Sequence, residues 1–257
     1  MSEASGPSHE RLVDAQFGPR AQAYVRSAVH AEGADLDELE AIAARLRPDR
    51  ALDLGCGGGH VAYRLARHAR EVTACDLSAA MLAAVRETAS ARGFANVATE
   101  LAAAERLPFP DSAFDLVASR FSAHHWRDLD RGLSEARRVA RPGAVAVLVD
   151  AVSPGAPMLD THLQAVELLR DPSHVRDYSV AEWAAAAVRA GFEVDAIVRR
   201  RIRIDFPSWT ERMRTPPAQA QAIAALQGAA SQEVRAYYAV EDDGSFQLDV
   251  MTLTARA

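Results

Sequence analysis

The sequence predicts an α/β fold in which short buried strands alternate with helices. Three observations carry this. The apolar run Ala51 to Leu54 stops at four glycines in five positions, Gly55-Cys-Gly-Gly-Gly59, and Val61 and Leu65 then resume four apart. A buried strand, a tight loop and a helix start therefore follow one another. A second apolar run, Val72 to Cys75, ends in Asp76 ahead of Ser78, a residue type suited to cap a helix carrying Met81, Leu82 and Val85 inward. Apolar runs then alternate with segments of helical period to the end of the chain, which is the signature of βα units.

Each element follows in order. Residues 1 to about 18 are polar and turn-rich, and are expected to stay mobile until something covers them. From Pro19 a helical pattern runs through Ala23, Tyr24, Val25, Ala28 and Val29, breaks at Gly33, and resumes from Asp35 with Leu36, Leu39, Ile42 and Leu46. After the first two βα units, Gly93 to Asn96 turns the chain into a short third strand, Val97 to Leu101, and Phe114 to Ser119 reads as the fourth. Leu129, Leu133, Ala136 and Val139 mark an amphipathic helix closed by Arg141-Pro-Gly143 before a fifth strand, Ala144 to Ala151. Met158 to Arg170 is a helix inserted before a crossover helix at about Val180 to Ala190. Phe192 to Val198 is strand six, residues 199–244 hold several helical turns, and Phe246 to Thr254 is the last strand. The insertions 152–180 and 199–244 leave from the sheet edge that carries the glycine loop, so they are expected to form a helical lid.

Composition limits the function classes. Hydrophobic residues make up 49% and charged ones 25%, as in a soluble globular protein. A net charge of −6 gives no basic field for nucleic acid. No apolar run nears the ~18 residues of a membrane span, and the first ten residues lack a signal pattern, so a cytoplasmic location without membrane partner is expected. Cys56 and Cys75 have neither disulfide nor metal spacing and read as small buried residues.

The chemistry concentrates where strands end. Glycine lets ligand atoms lie against the backbone, and an acid at the tip of the second strand, Asp76, can accept both hydroxyls of a ribose. A dinucleotide fingerprint, G-x-G-x-x-G, would need glycine where His60 stands, which weighs against an NAD-dependent oxidoreductase. Open parallel sheets bind ligands at their C-terminal ends, so Arg120, His124, His125 and Trp126, which follow strand four, are candidates. Neutral imidazole titrates near pH 6 to 7, which makes His124 and His125 candidate bases. Being adjacent, the two histidines are expected to point apart, and no metal site is expected.

These motifs have a known counterpart. Asp53-Leu-Gly-Cys-Gly-Gly-Gly, Asp76 with Ser78 and Met81-Leu82, Leu107-Pro-Phe-Pro-Asp-Ser-Ala-Phe-Asp115 and Arg141-Pro-Gly143 resemble, in this order, class I S-adenosylmethionine (SAM)-dependent methyltransferases. The nearest branch is that of ubiquinone and menaquinone biosynthesis methyltransferases. Ser119 to Trp126, Asp171 to Tyr178, and Trp209 with Arg212 to Pro216 look like the bacterial YafE-type subgroup. The resemblance implies a Rossmann-like, doubly wound sheet of about seven strands, the last antiparallel, in one domain: a helical cap over residues 1–47, a SAM-binding core over 48–150 and the two lid insertions. It implies SAM as cofactor and S-adenosylhomocysteine (SAH) as product, with Asp53, Gly55, Cys56, Gly57, Gly59, Asp76, Leu77, Ala104, Glu105 and Arg120 around the cofactor. Ala103 departs from the family, which commonly has an aspartate there for the adenine amine, so adenine recognition is left to backbone, Glu105 or Leu77.

Because SAM is already an activated electrophile, the protein has mainly to align the acceptor and exclude water. The expected partner is a small molecule, anionic or phenolic, bound under the lid of a monomer or homodimer. Tyr24 from the cap, Arg176 and Tyr178 from the first insertion and Arg214 from the second are the candidate substrate residues, arginine for its carboxylate-matching fork. A SAM-binding protein without catalysis is the other reading.

Overall fold

The computed structural model describes residues 8–25 and 31–257, so Ala28 and Val29 of the first expected helix lie outside the described residues. Seven strands, β1 (Arg50–Leu54), β2 (Glu71–Asp76), β3 (Val97–Leu101), β4 (Phe114–Arg120), β5 (Ala140–Ala151), β6 (Glu193–Ile204) and β7 (Phe246–Arg256), form one sheet in the order β3-β2-β1-β4-β5-β7-β6. Strands β1 to β5 are parallel, and β7 runs antiparallel between β5 and β6. This is the doubly wound α/β fold expected.

Period-two alternation splits the strands between two cores. Leu52, Leu54, Val117 and Leu148 face one side, against α6 (Leu129–Val139) and α8 (Val180–Arg189) with its sealed Trp183. Ala51, Leu116, Ala118, Val147 and Val149 face the other, against α3 (Ala34–Leu46), α4 (His60–Leu65) and α5 (Ala79–Ala91). The order of strands reverses between β1 and β4, so their C-terminal ends open a crevice there.

Three further groups of elements meet above that crevice. At the N-terminus stand α1 (His9–Phe17) and α2 (Ala21–Val25). After β5 comes α7 (Pro157–Arg170), and after β6 come α9 (Phe206–Met213), α10 (Pro217–Ala229) and α11 (Gln232–Tyr238). The last four pack Leu163, Val166, Trp209, Ile223, Val234 and Tyr238 into a satellite core at the start of β7, against Phe246 and Leu248.

The structure corrects three boundaries. The N-terminal segment expected to be mobile contains α1, whose first turn is capped by the Ser8 side chain. Arg141-Pro-Gly143 does not merely close α6 but lies within β5, because a register irregularity between Phe114 and Leu116 lets Ala140 pair with Phe114. Strand β6 runs on to Ile204, so residues 199–204, assigned to the lid by their arginines, are sheet. Those charges are met by Glu38, Asp249 and Glu241 on other elements.

Candidate active site

The glycine loop is held from beneath by β2, where the Cys75 carbonyl accepts the Gly55 and Cys56 amides at 2.9 Å. Gly57 has positive φ (47°), and a Cβ built there meets no protein atom within 4 Å, so the space beside it lies open to the cavity that Gly57 lines. Gly58 is a close approach of another kind: a Cβ there would stand 2.8 Å from the Tyr24 carbonyl of α2. His60 Nε2 lies 2.9 Å from the same carbonyl. The residue that spoils the dinucleotide fingerprint thus ties α2 to the loop.

A cavity of about 620 Å³ runs from this loop to α9. Gly55, Gly57, Asp76, Leu77, Ala104, Glu105 and Arg120 line it, together with Tyr24, His124, His125 and Trp126. The Asp76 carboxylate accepts the amides of Gly57 (2.8 Å) and Ser78 (2.9 Å), and burial pushes its pKa up. Glu105 is on the wall, but its Oε1 accepts the Arg127 (2.8 Å) and Asp128 (3.3 Å) amides and so fixes the turn before α6. Arg120 is bonded to Asp35 of α3, which also reaches the cavity.

Six of the expected site residues lie off the cavity wall. Asp53 is turned inward to the first turn of α4, accepting the Ala62 amide at 2.9 Å, and burial lifts its pKa to about 7. Cys56 and Gly59 face the core beneath the loop. Arg176 is spent on Asp160 (3.0 Å) and Glu182 (3.3 Å), with Tyr178 packed beside it against the main core. Arg214 ends α9 in the left-handed conformation (φ 49°) and is exposed.

The histidines differ sharply. A 3₁₀ turn, Ala123–His125, brings the rings to a centroid separation of 4.1 Å rather than pointing them apart. His124 Nδ1 lies 2.6 Å from Asp150 at the end of β5, leaving Nε2 without a protein partner among the described residues on a ring that lines the cavity. Burial opposes its charged form, but the Asp150 carboxylate prevails and raises the pKa to about 9. His125 is buried beside that cation and falls to about 3. Its Nδ1 faces the Ser173 carbonyl at 3.1 Å, which can only accept, so Nδ1 carries the proton. Among the described residues no group of His, Cys, Asp or Glu is placed to hold a metal ion, and no helix is long and apolar enough to cross a membrane.

The cavity wall also carries Phe17, Arg170, Asp171 and Met213, which the sequence reading did not single out, and Arg212, which it named only within the Trp209 to Pro216 segment. Asp150 was also missed, although a single acid ending the apolar run of β5 is the signal that marked Asp76 on β2.

Comparison with known proteins agrees with this geometry. Residues 52–148 match the methyltransferase domain family. YafE of Escherichia coli is 43% identical over 78% of this chain and 97% of its own length. A ubiquinone/menaquinone biosynthesis C-methyltransferase of Geobacter sulfurreducens is 35% identical over 41% of this chain and 43% of its own. The crystal structure of YcgJ from Bacillus subtilis, a protein described as a methyltransferase, is 30% identical with a TM-score of 0.83, covering 86% of this chain and 97% of that one. With the sheet order, the glycine loop and near full-length similarity in agreement, the chain belongs to the class I SAM-dependent methyltransferase family and is an enzyme of that class.

Proposed function

We propose that the enzyme methylates a small anionic or phenolic acceptor by direct transfer from SAM, releasing SAH, with the acceptor enclosed by the N-terminal cap and the two inserted helical segments. The observation that carries this reading is that one cavity joins the open glycine loop to the free Nε2 of the His124–Asp150 pair. The loop end suits the cofactor: Gly57 leaves room for ligand backbone, Asp76 keeps lone pairs for ribose hydroxyls, and Leu77 and Ala104 offer apolar walls for an adenine. When bound there, SAM supplies an electrophilic methyl group.

The chain's own part is to orient the acceptor, exclude water and take its proton. His124 suits the last task, because its Nε2 has no protein partner among the described residues on the cavity wall and Asp150 makes the deprotonated ring a stronger base toward a phenol's proton. Asp150 holds the ring in the tautomer that leaves Nε2 as acceptor once deprotonated. His125, whose charged form is opposed by burial and by the His124 cation and whose Nδ1 proton is on Ser173, is a poor base and packs against Phe17 instead.

A substrate screen read out by SAH release tests the reading, preceded by calorimetry with SAM, SAH and NAD. SAM and SAH are expected to bind and NAD to give no heat. Binding of NAD in place of SAM would overturn the cofactor assignment, and SAM binding with no SAH formed on any anionic or phenolic acceptor would favour a non-catalytic SAM-binding protein. Once an acceptor is in hand, His124→Ala should lower kcat by about a hundredfold or more with SAM affinity unchanged, as for loss of a positioned base. In the wild type kcat/KM should climb with pH toward 9. A flat profile would exclude His124 as the base.

A further inference from the structure

His124 can take a proton from the acceptor but cannot hold an anionic group on it, which needs a second residue on the same cavity wall. Arginines gather about α9, and those on the cavity wall there other than Arg212 are paired within the fold. Arg170 pairs with Glu167 at 3.3 Å, donates to the Trp209 carbonyl at 3.2 Å and lies over the Trp209 ring. Arg20, which is off the cavity wall, donates to the Met213 carbonyl at 2.8 Å while its Nε and Nη1 are sealed without a partner among the described residues. The Met213 carbonyl ends α9, where unpaired C=O groups attract cations. Arg200 and Arg203 are bonded to Glu38 and Glu241.

Arg212 is different. It stands on the cavity wall, half-buried, and makes no hydrogen bond or ion pair among the described residues. Its Nε is sealed from solvent without a partner. Of the charges near enough to act on it, Arg170 and Glu167 neutralise each other. A guanidinium is not desolvated without compensation unless something else supplies the counter-charge.

We propose that Arg212 is the anion anchor of the acceptor subsite and that the acceptor is a monoanionic carboxylic acid with an apolar body. This inference rests on the methyltransferase reading of the same cavity. The guanidinium fork matches a carboxylate in geometry, and the one unpaired guanidinium that α9 presents on the cavity wall matches one negative charge rather than the two of a phosphate monoester. In the same cavity Trp209 and Met213 beside it on α9, and Phe17 against His125, offer ring and thioether surface for an arene or short alkyl chain, with the reacting atom at His124.

The experiment is calorimetry on the SAH-saturated enzyme with benzoate, phenylacetate, 4-hydroxybenzoate and hexanoate, each against its amide, and with phenyl phosphate. At least one acid is expected to bind tenfold or more tightly than its amide and more tightly than phenyl phosphate. That preference should vanish in Arg212→Gln and Arg212→Met, persist in part in Arg212→Lys, and leave SAH affinity unchanged in all three. The proposal is overturned if no acid exceeds its amide, if phenyl phosphate is preferred, or if the preference survives loss of the guanidinium. Should the variants not fold, the wild-type acid-to-amide and acid-to-phosphate ratios alone decide. Failure of SAH to bind would sink the methyltransferase reading and this proposal with it, whereas SAH binding without acid preference removes the anchor only.

Discussion

His124 and Asp150 couple chemistry to stability through one proton. Folding gives the imidazole a carboxylate partner and raises its pKa from 6.5 to about 9, burial opposing and Asp150 prevailing. A raised pKa means that the folded state binds the proton more tightly than the unfolded one. The stabilisation is therefore complete below pH 6.5 and is lost as pH rises through about 9. Urea midpoints of the wild type should fall between pH 6.5 and 9 more steeply than those of Asp150→Asn, in which the charged partner is gone. Parallel slopes for the two proteins would show that the pair contributes nothing to pH-dependent stability. At this scale the sequence was informative where a residue type is forced by its backbone position. Asp76 and the glycines could be picked out because strand tips and tight loops restrict what can stand there. Arg212 and Arg214 could not be told apart, because the choice between them depends on where α9 ends. At its last residue the guanidinium points into the cavity or out to solvent according to a single backbone conformation. The direction of Asp53 was hidden for a related reason: an acid before a glycine loop can face the ligand or the following helix, and here it bonds Ala62.

Among the elements, α2 is held to the glycine loop by a contact only glycine permits. The Tyr24 carbonyl sits where a Gly58 side chain would be, and His60 reaches the same oxygen. Gly58→Ala forces α2 away and should cost about 1–3 kcal/mol, the range for overpacking. The expected signs are faster proteolysis before residue 34 and weaker SAH binding, with the unfolding cooperativity of the sheet retained. Wild-type proteolysis and SAH affinity in that variant would mean that the cap does not rest on the loop. The N-terminal helix α1 escaped the sequence reading because its anchor is distant: His9 meets the His125 carbonyl, 116 residues away. Strand β6 was cut short at Val198 for a comparable reason. Its run of arginines looks like a solvated segment until the carboxylates of α3, β7 and the turn after α11 are brought beside it.

For the molecule as a whole, activity is expected to survive prolonged incubation with a chelator, since no metal-ligand spacing occurs in the sequence and no metal-holding group among the described residues. Loss of turnover restored by a divalent cation would reverse this. The sheet order, β5-β7-β6, has a consequence for how the chain is made. Synthesis delivers β6 well before β7, yet β6 borders no strand except β7. On the ribosome β6 and its row of arginines must wait unpaired, and the roof helices above them lack Phe246 and Leu248, on which their small core closes. The cap waits as well, since Arg20 and Tyr24 are translated early but fasten to Met213. A nascent chain can therefore complete its glycine loop and parallel strands long before the α9 wall of the cavity is braced. A ribosome stalled before Phe246 would yield a product with an unpaired strand edge, a target for quality-control proteases, rather than an enzyme that binds cofactor without holding an acceptor.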